Sequence, residues 1–287
     1  MRGVTRALSA LPIRVGNVVV GGIDGSTDWL SVLADCGAVV HLAARVHVMQ
    51  ESAPDPLEEF RRVNVLGTLN LARQAASAGV RRFVFVSSIG VNGAETFQQP
   101  YTALDSASPH SPYAVSKYEA ELGLQALAAE TGMEVVIIRP PLVYGPNAPG
   151  NFGSLMRWLQ RRVPLPLGAI HNQRSLVALD NLVDLIVVCL THPAAANQIF
   201  LVSDGEDVST TELLRRMGQA LGRPARLVPL PASILKLAAA MVGKPDVAQR
   251  LCGSLQVDIE KTRRLLSWTP PLSLAEGLKK AAEGLRV

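Results

Sequence analysis

Four short apolar runs mark the first half of the chain: "NVVVGG" (17–22), "AVVHLAA" (38–44), "RFVFVSS" (82–88) and "EVVIIRPP" (134–141). None alternates apolar with polar residues. Each therefore predicts a strand covered on both faces, as in a parallel sheet. Longer stretches at 56–78 and 111–131 predict helices, with Gly79 and Gly132 at their C-terminal ends. Strand, helix and strand in turn predict an α/β fold, a Rossmann-type doubly wound parallel sheet.

Past about residue 145 the pattern loosens. "YGPNAPGNFGS" reads as a loop, "QIFLVSDGEDVSTTELLRRMGQALG" as strand, turn and helix, and "VDIEKTRRLLSWTPP" as a helix stopped by proline. The expected organisation is a sheet domain over 1–150 and a smaller mixed lobe over 151–287, interleaved with the first. The length of 287 residues suffices for such a core.

Composition narrows the function classes. Hydrophobic residues make up 48% and charged residues 18%, yet no apolar run reaches the roughly 18 residues of a membrane span. The longest, "SILKLAAAMVG", is short and carries Lys236. No basic-plus-apolar leader opens the chain. Cys36, Cys189 and Cys252 are scattered, with no CxxC and no histidine cluster, so neither disulfides nor a metal is expected. Reduced thiols fit a cytoplasmic protein. The net charge of +4 is spread without a dense Lys/Arg block, which argues against nucleic acid and suits a small anion.

The chemistry is concentrated in "SPYAVSKYEAE" (111–121). Ser111 is a good N-cap and Pro112 suits the first helical position. Tyr113 and Lys117 then share one helix face, a turn apart. A nearby ammonium favours a phenolate while burial opposes it. If charge prevails, Tyr113 can exchange a proton with a substrate hydroxyl near neutral pH. "VFVSS" ends a strand upstream, placing Ser87 and Ser88 at the carboxyl edge of the sheet, where ligands bind in open α/β folds.

Together, "VVHLAA", "NVLGTLNL", "FVFVSS", "SPYAVSKYEAE", "VVIIRPPLVYGP" and "RSLVALDNLVDLI" resemble the extended short-chain dehydrogenase/reductase family. More narrowly, they resemble its NAD-dependent epimerases, dehydratases and 4-keto-reductases of nucleotide sugars. The resemblance spans the chain. It implies an NAD- or NADP-binding Rossmann domain and a C-terminal lobe for a nucleoside-diphosphate sugar. Ser88, Tyr113 and Lys117 would be catalytic: Tyr113 the acid/base, Lys117 holding the nicotinamide ribose, and Ser88 orienting the sugar oxygen. Leu42, Ala43, Ala44, Asn64, Val86, Ser87 and Pro140 would also line the cofactor. Asn64 competes with an ordinary packing role, and His41 is expected to be structural. Arg174 would grip the substrate diphosphate, as a guanidinium suits, with a solvated arginine as the competing account. Asn151 and Phe152 would belong to the substrate loop. Relatives often pair through two helices, so a homodimer through 56–78 and 111–130 is expected, with Leu122, Leu124 and Leu127 as apolar candidates.

The sequence departs from that family in several places. No G-x-x-G-x-x-G turn, which brings a pyrophosphate to a helix N-terminus, occurs in it. "MRGVTRALSA" resembles the family's second strand, so the chain reads as starting about 30 residues, one βα unit, late. The expected result is either a gap between "VTRA" and "VVHLA" or a forced pairing of the two, with poor dinucleotide binding or none. Gly22 stands where relatives have an adenine-reading Asp, with Ile23 and Asp24 next. Leu142 replaces an Asn of relatives, and Arg6 hints at NADP.

The resemblance implies an epimerase or 4-keto-reductase acting at sugar C4, with a UDP-linked N-acetyl-6-deoxyhexose as a lead. "VSSIGVNG" lacks the acidic pair of dehydratases. The alternatives are a catalytically impaired, cofactor-sensing protein on the same fold, or a steroid-type reductase with an apolar pocket.

Overall fold

The computed structural model describes residues 1–5, 16–46, 55–243 and 245–285. In chain order the elements are β1 (Arg2–Thr5), β2 (Gly16–Val19), α1 (Leu30–Leu33), β3 (Ala38–His41), α2 (Pro56–Arg61), α3 (Thr68–Ser77), β4 (Arg82–Val86), α4 (Pro112–Thr131) and β5 (Glu134–Arg139). They continue with β6 (Leu142–Tyr144), α5 (Gly150–Gln160), β7 (Arg174–Ala178), α6 (Leu179–Thr191), β8 (Gln198–Leu201) and β9 (Asp207–Val208). The last five are α7 (Thr210–Ala220), α8 (Ala232–Met241), α9 (Pro245–Cys252), α10 (Glu260–Leu266) and α11 (Leu274–Glu283).

The chain divides into two compact units. Unit 1 comprises Met1–Val91, Ala107–Arg139 and Cys189–Ile199; unit 2 comprises Asn92–Ser106, Pro140–Val188 and Phe200–Val287. The chain thus passes between them several times.

In unit 1, β3, β4 and β5 pair in parallel within a four-stranded sheet of order β3-β4-β5-β8. Burial on both faces explains the unalternating sequence. Phe83, Phe85, Val135 and Ile137 pack against Leu71, Ala72 and Ala75 of α3 and Ala120, Leu124 and Leu127 of α4. Val84, Val136 and Ile138, whose side chains point the other way, are equally buried. β1 and β2 form a separate parallel pair, from Arg2 opposite Gly16 to Thr5 opposite Val19. Among the described residues β1 and β3 share no ladder, so the two strands are not forced together.

α4 begins and ends as its sequence dictates. The Ser111 hydroxyl accepts from Ala114 N at 3.2 Å, Pro112 occupies the first turn, and Gly132 closes the helix at φ 73°. Leu124 and Leu127 face the core while Leu122 is 47% exposed. The expected helix at 56–78 is not continuous. Residues Arg62–Gly67 form a π-helical turn between α2 and α3. Gly67 sits so close to the loop after β2 that a Cβ there would lie 2.9 Å from Ile23 Cγ2.

Unit 2 holds a three-stranded sheet of order β6-β7-β9, with β6 parallel and β9 antiparallel to β7. Its core gathers Tyr144, Phe152, Met156, Leu176, Leu214, Met217 and Leu278. The Tyr144 hydroxyl donates to Asp204 at 2.7 Å, so the buried phenol is satisfied. No described helix is long and apolar enough to cross a membrane.

Candidate active site

β4 ends at Val86, and α4 lies across that end. Lys117 is 2% exposed. Its Nζ donates to the Val86 carbonyl at 2.8 Å and lies 4.3 Å from the centre of the Phe85 ring. The helical spacing thus places Lys117 at the carboxyl edge of the sheet, with Tyr113 one turn nearer the start of α4. Tyr113 is half-buried, its ring edge-on to Phe60 with centroids 6.1 Å apart. Ser88 Oγ accepts from Gly90 N at 3.1 Å, which leaves its own hydrogen to donate.

Of the two opposing influences on this pair, burial dominates. Burial pushes the Tyr113 phenol up to about 12. Burial likewise pushes Lys117 down to about 7, with the Glu121 carboxylate opposing. In the protein alone, desolvation outweighs the ammonium, and Tyr113 holds its proton at neutral pH.

Other predicted residues are engaged inside the protein. Both amide hydrogens of Asn64 are used, on the Arg45 carbonyl at 3.1 Å and Ser116 Oγ at 3.0 Å, while its Oδ1 accepts from Arg45 N at 2.8 Å. Asn64 therefore staples the segment after β3 to α4, the packing role that competes with the cofactor role expected of it. Ser87 donates its hydroxyl to Glu121 at 2.5 Å and its N–H to Ile138 O at 2.8 Å, so neither donor is left for a cofactor. His41, stacked on Phe85, meets Thr68 Oγ1 at 3.0 Å and is held neutral by burial, its value lowered to about 3. The Asp24 carboxylate is turned to Ser26 and Thr27. Leu42 and Ala43 are exposed and Ala44 is half-buried just past β3; Pro140 directly follows β5. Arg6 lies outside the described residues.

In unit 2, Phe152 is 2% exposed in the core, its ring 5.3 Å from Tyr144. The apolar side chain is buried there because α5 turns it inward, and the loop expected at this position is a helix. Asn151 is exposed on the same helix. Arg174 Nη1 donates to the carbonyls of Arg250 at 2.9 Å and Gly253 at 3.1 Å, at the end of α9. A cavity of about 560 Å³ in this unit is lined by Glu95, Ile170, His171, Asn172, Cys252 and Ser254. Sequence reading missed it, because its walls come from distant segments, Glu95 and Ser254 standing 159 positions apart in the chain.

Sequence reading also missed Glu121 and Arg139. Arg139 donates to Glu121 through Nε at 3.0 Å and Nη2 at 2.5 Å, and both side chains are almost fully buried. The available signal was an arginine closing an otherwise apolar strand and a glutamate four residues past Lys117.

The sequence profile of the NAD-dependent epimerase/dehydratase family matches residues 2–203. The chain belongs to that family. Among its relatives, a UDP-glucose 4-epimerase of Vibrio cholerae is 51% identical over 266 residues, covering 92% of this chain and 81% of that protein. A UDP-glucose 4-epimerase of Thermotoga maritima, solved with UDP-glucose, superposes with a TM-score of 0.78 at 21% identity, over 99% of this chain and 90% of that one. A dTDP-glucose 4,6-dehydratase of Streptomyces venezuelae, solved with NAD, superposes with a TM-score of 0.74 at 28% identity, over 96% and 80%. The fold is therefore that of the epimerase/dehydratase family.

The residues of this structure fit one half of that family's dinucleotide. Leu42, 63% exposed just past β3, offers an apolar surface to a flat ring, and the segment after β4 and α4 carry Ser88, Tyr113 and Lys117 as hydrogen-bonding groups. A glycine-rich turn for the diphosphate is not in the sequence.

Proposed function

We propose that this chain interconverts the C4 epimers of a UDP-linked hexose, with NAD held at the carboxyl ends of β3 and β4. The observation that carries the reading is the placement of Lys117 on the Val86 carbonyl, with Tyr113 one turn away on α4. The 51% identity to a UDP-glucose 4-epimerase supports C4 epimerisation over 4-keto reduction. Tyr113, Lys117 and Leu42–Ala44 would hold the nicotinamide end.

When bound, the oxidised nicotinamide supplies a hydride acceptor and a positive charge. This chain's part is the proton on the sugar O4. Tyr113 would act here as the phenolate, the form that the Lys117 ammonium favours; it takes the proton as C4 becomes a carbonyl and returns it as the alcohol re-forms on the other face. The raised phenol suits the return step, where a proton must be given. Removing the proton from O4 needs positive charge nearby, which the Lys117 ammonium supplies. Ser88 donates a hydrogen bond to O4 and keeps the sugar oriented. Arg174 supplies a guanidinium for the diphosphate, and the cavity lined by His171 and Asn172 is of a size for a nucleoside.

We also infer a homodimer through the outward faces of the helical stretch 56–78 and of α4, supported by the exposed Leu66 on the π-helical turn and Leu122 on α4. Light scattering tests it.

The functional test is incubation of the protein with UDP-galactose and NAD in heavy water. UDP-glucose should form, with no solvent deuterium at C4. Failure to form either epimer from UDP-galactose or its N-acetyl analogue overturns the reading. Calorimetric titration with NAD and with NADPH reads the cofactor preference and the strength of binding without a glycine-rich turn.

A further inference from the structure

Glu121 is 1% exposed, one turn beyond Lys117 on α4. Its Oε1 takes the Ser87 hydroxyl at 2.5 Å and Arg139 Nε at 3.0 Å, and its Oε2 takes Arg139 Nη2 at 2.5 Å. One carboxylate thus joins the end of β4 to the end of β5 beneath the helix. Lys117 meets β4 one residue before Ser87, on the Val86 carbonyl. A neutral carbonyl and the Phe85 ring are weak company for a buried ammonium. Something else must hold that charge.

We propose that Glu121 is the positioning residue of this site: its carboxylate is the counter-charge that holds Lys117 as an ammonium, and through Ser87 it fixes the carbonyl on which that ammonium rests. Arg139 is ion-paired directly to the same carboxylate at 2.5 Å, and Lys117 lies one helical turn away with its Nζ on the Val86 carbonyl, so one anion answers two cations without touching both. Among the described residues, ionisable groups near Lys117 include Tyr113, a turn before it on α4, and His41 on β3, which burial keeps neutral beside the Lys117 charge. Neither supplies negative charge at neutral pH. The bearing on catalysis rests on the functional reading above; the bearing on the charge of Lys117 does not.

This arrangement predicts shifts of opposite sign. The chain has six lysines, so carbon-labelled lysine NMR can follow the buried one. Glu121→Gln removes the anion, and the Lys117 midpoint should fall by about one unit or more. Arg139→Gln removes the competing cation, and the midpoint should rise by about one unit. Glu121→Asp keeps the charge and should keep the midpoint near that of the wild type. A merely structural role would move both glutamine variants the same way or neither, and either result overturns the proposal. If Glu121→Gln does not fold, Arg139→Gln decides alone: a rise supports the proposal, and any other result overturns it. In turnover, Glu121→Gln should lose about tenfold at about pH 8 and little at about pH 5, since one unit of midpoint is tenfold in ammonium. If the wild-type protein epimerises nothing while the midpoints move as stated, the functional reading fails and the assignment of Glu121 stands.

Discussion

The end of β4 in unit 1 and the surroundings of Phe152 and Arg174 in unit 2 answer the same question differently. In unit 1, Tyr113 and Lys117 owe their relation to one helix, and α4 delivers Lys117 to the Val86 carbonyl at 2.8 Å. In unit 2, Phe152 is buried in the core and Arg174 is tied to carbonyls near the end of α9. A spacing within one helix is a local property, fixed by 3.6 residues per turn. The surroundings of a residue on a separate element depend on which distant segments close over it. Function can therefore be read more directly in the first region than in the second.

The sharpest way to break this comparison is Tyr113→Phe. The substitution keeps the ring against Phe60 and removes the hydroxyl. Epimerase turnover should fall about 10³-fold, within the range for general acid–base groups, while Tm hardly changes. Retained turnover would remove unit 1 from the chemistry.

Phe152→Ala should act in the other currency. Emptying a fully buried phenyl site costs about 3–5 kcal/mol, read as a lower denaturation midpoint. The KM for UDP-sugar should change little in the protein that stays folded. A large rise in KM with unchanged stability would restore Phe152 to the substrate.

Arg174→Lys separates grip from tether. If the guanidinium binds a diphosphate, KM should rise about tenfold, because an ammonium lacks the fork. If it only ties down the end of α9, Tm falls and KM holds.

The smallest expected effect concerns His41, whose lowered value of about 3 has burial as its main cause and the charge of Lys117 as its second. The unfolded chain binds a proton below about 6.5 that the folded chain refuses until about 3. Stability should therefore fall as pH drops through that window. His41→Gln should flatten this part of a Tm–pH curve without altering it above pH 7.

Much of unit 1 was legible because its signals are local. Apolar runs without alternation mark strands buried on both faces, and Ser111, Pro112 and Gly132 bound α4. The break in the helix at 62–67 was not legible, since nothing in "RVNVLG" separates a π turn from an α turn without its partners. Nor was the role of Asn64, which is decided by Arg45 and by Ser116, 52 positions away. Glu121 was visible as a letter four places past Lys117. Its importance appears only when β5 brings Arg139 to it.

The wide turn at Arg62–Gly67 has a consequence for how the segment after β3 could be freed. A π turn uses more residues per revolution than an α turn, and so sets the phase between α2 and α3. Deleting one codon there would rewind it and swing Asn64 by about 100° around the helix axis. The clasp on Arg45 would open with every side chain of the clasp still present. In this protein chain length, as much as chemical identity, is a handle on that loop.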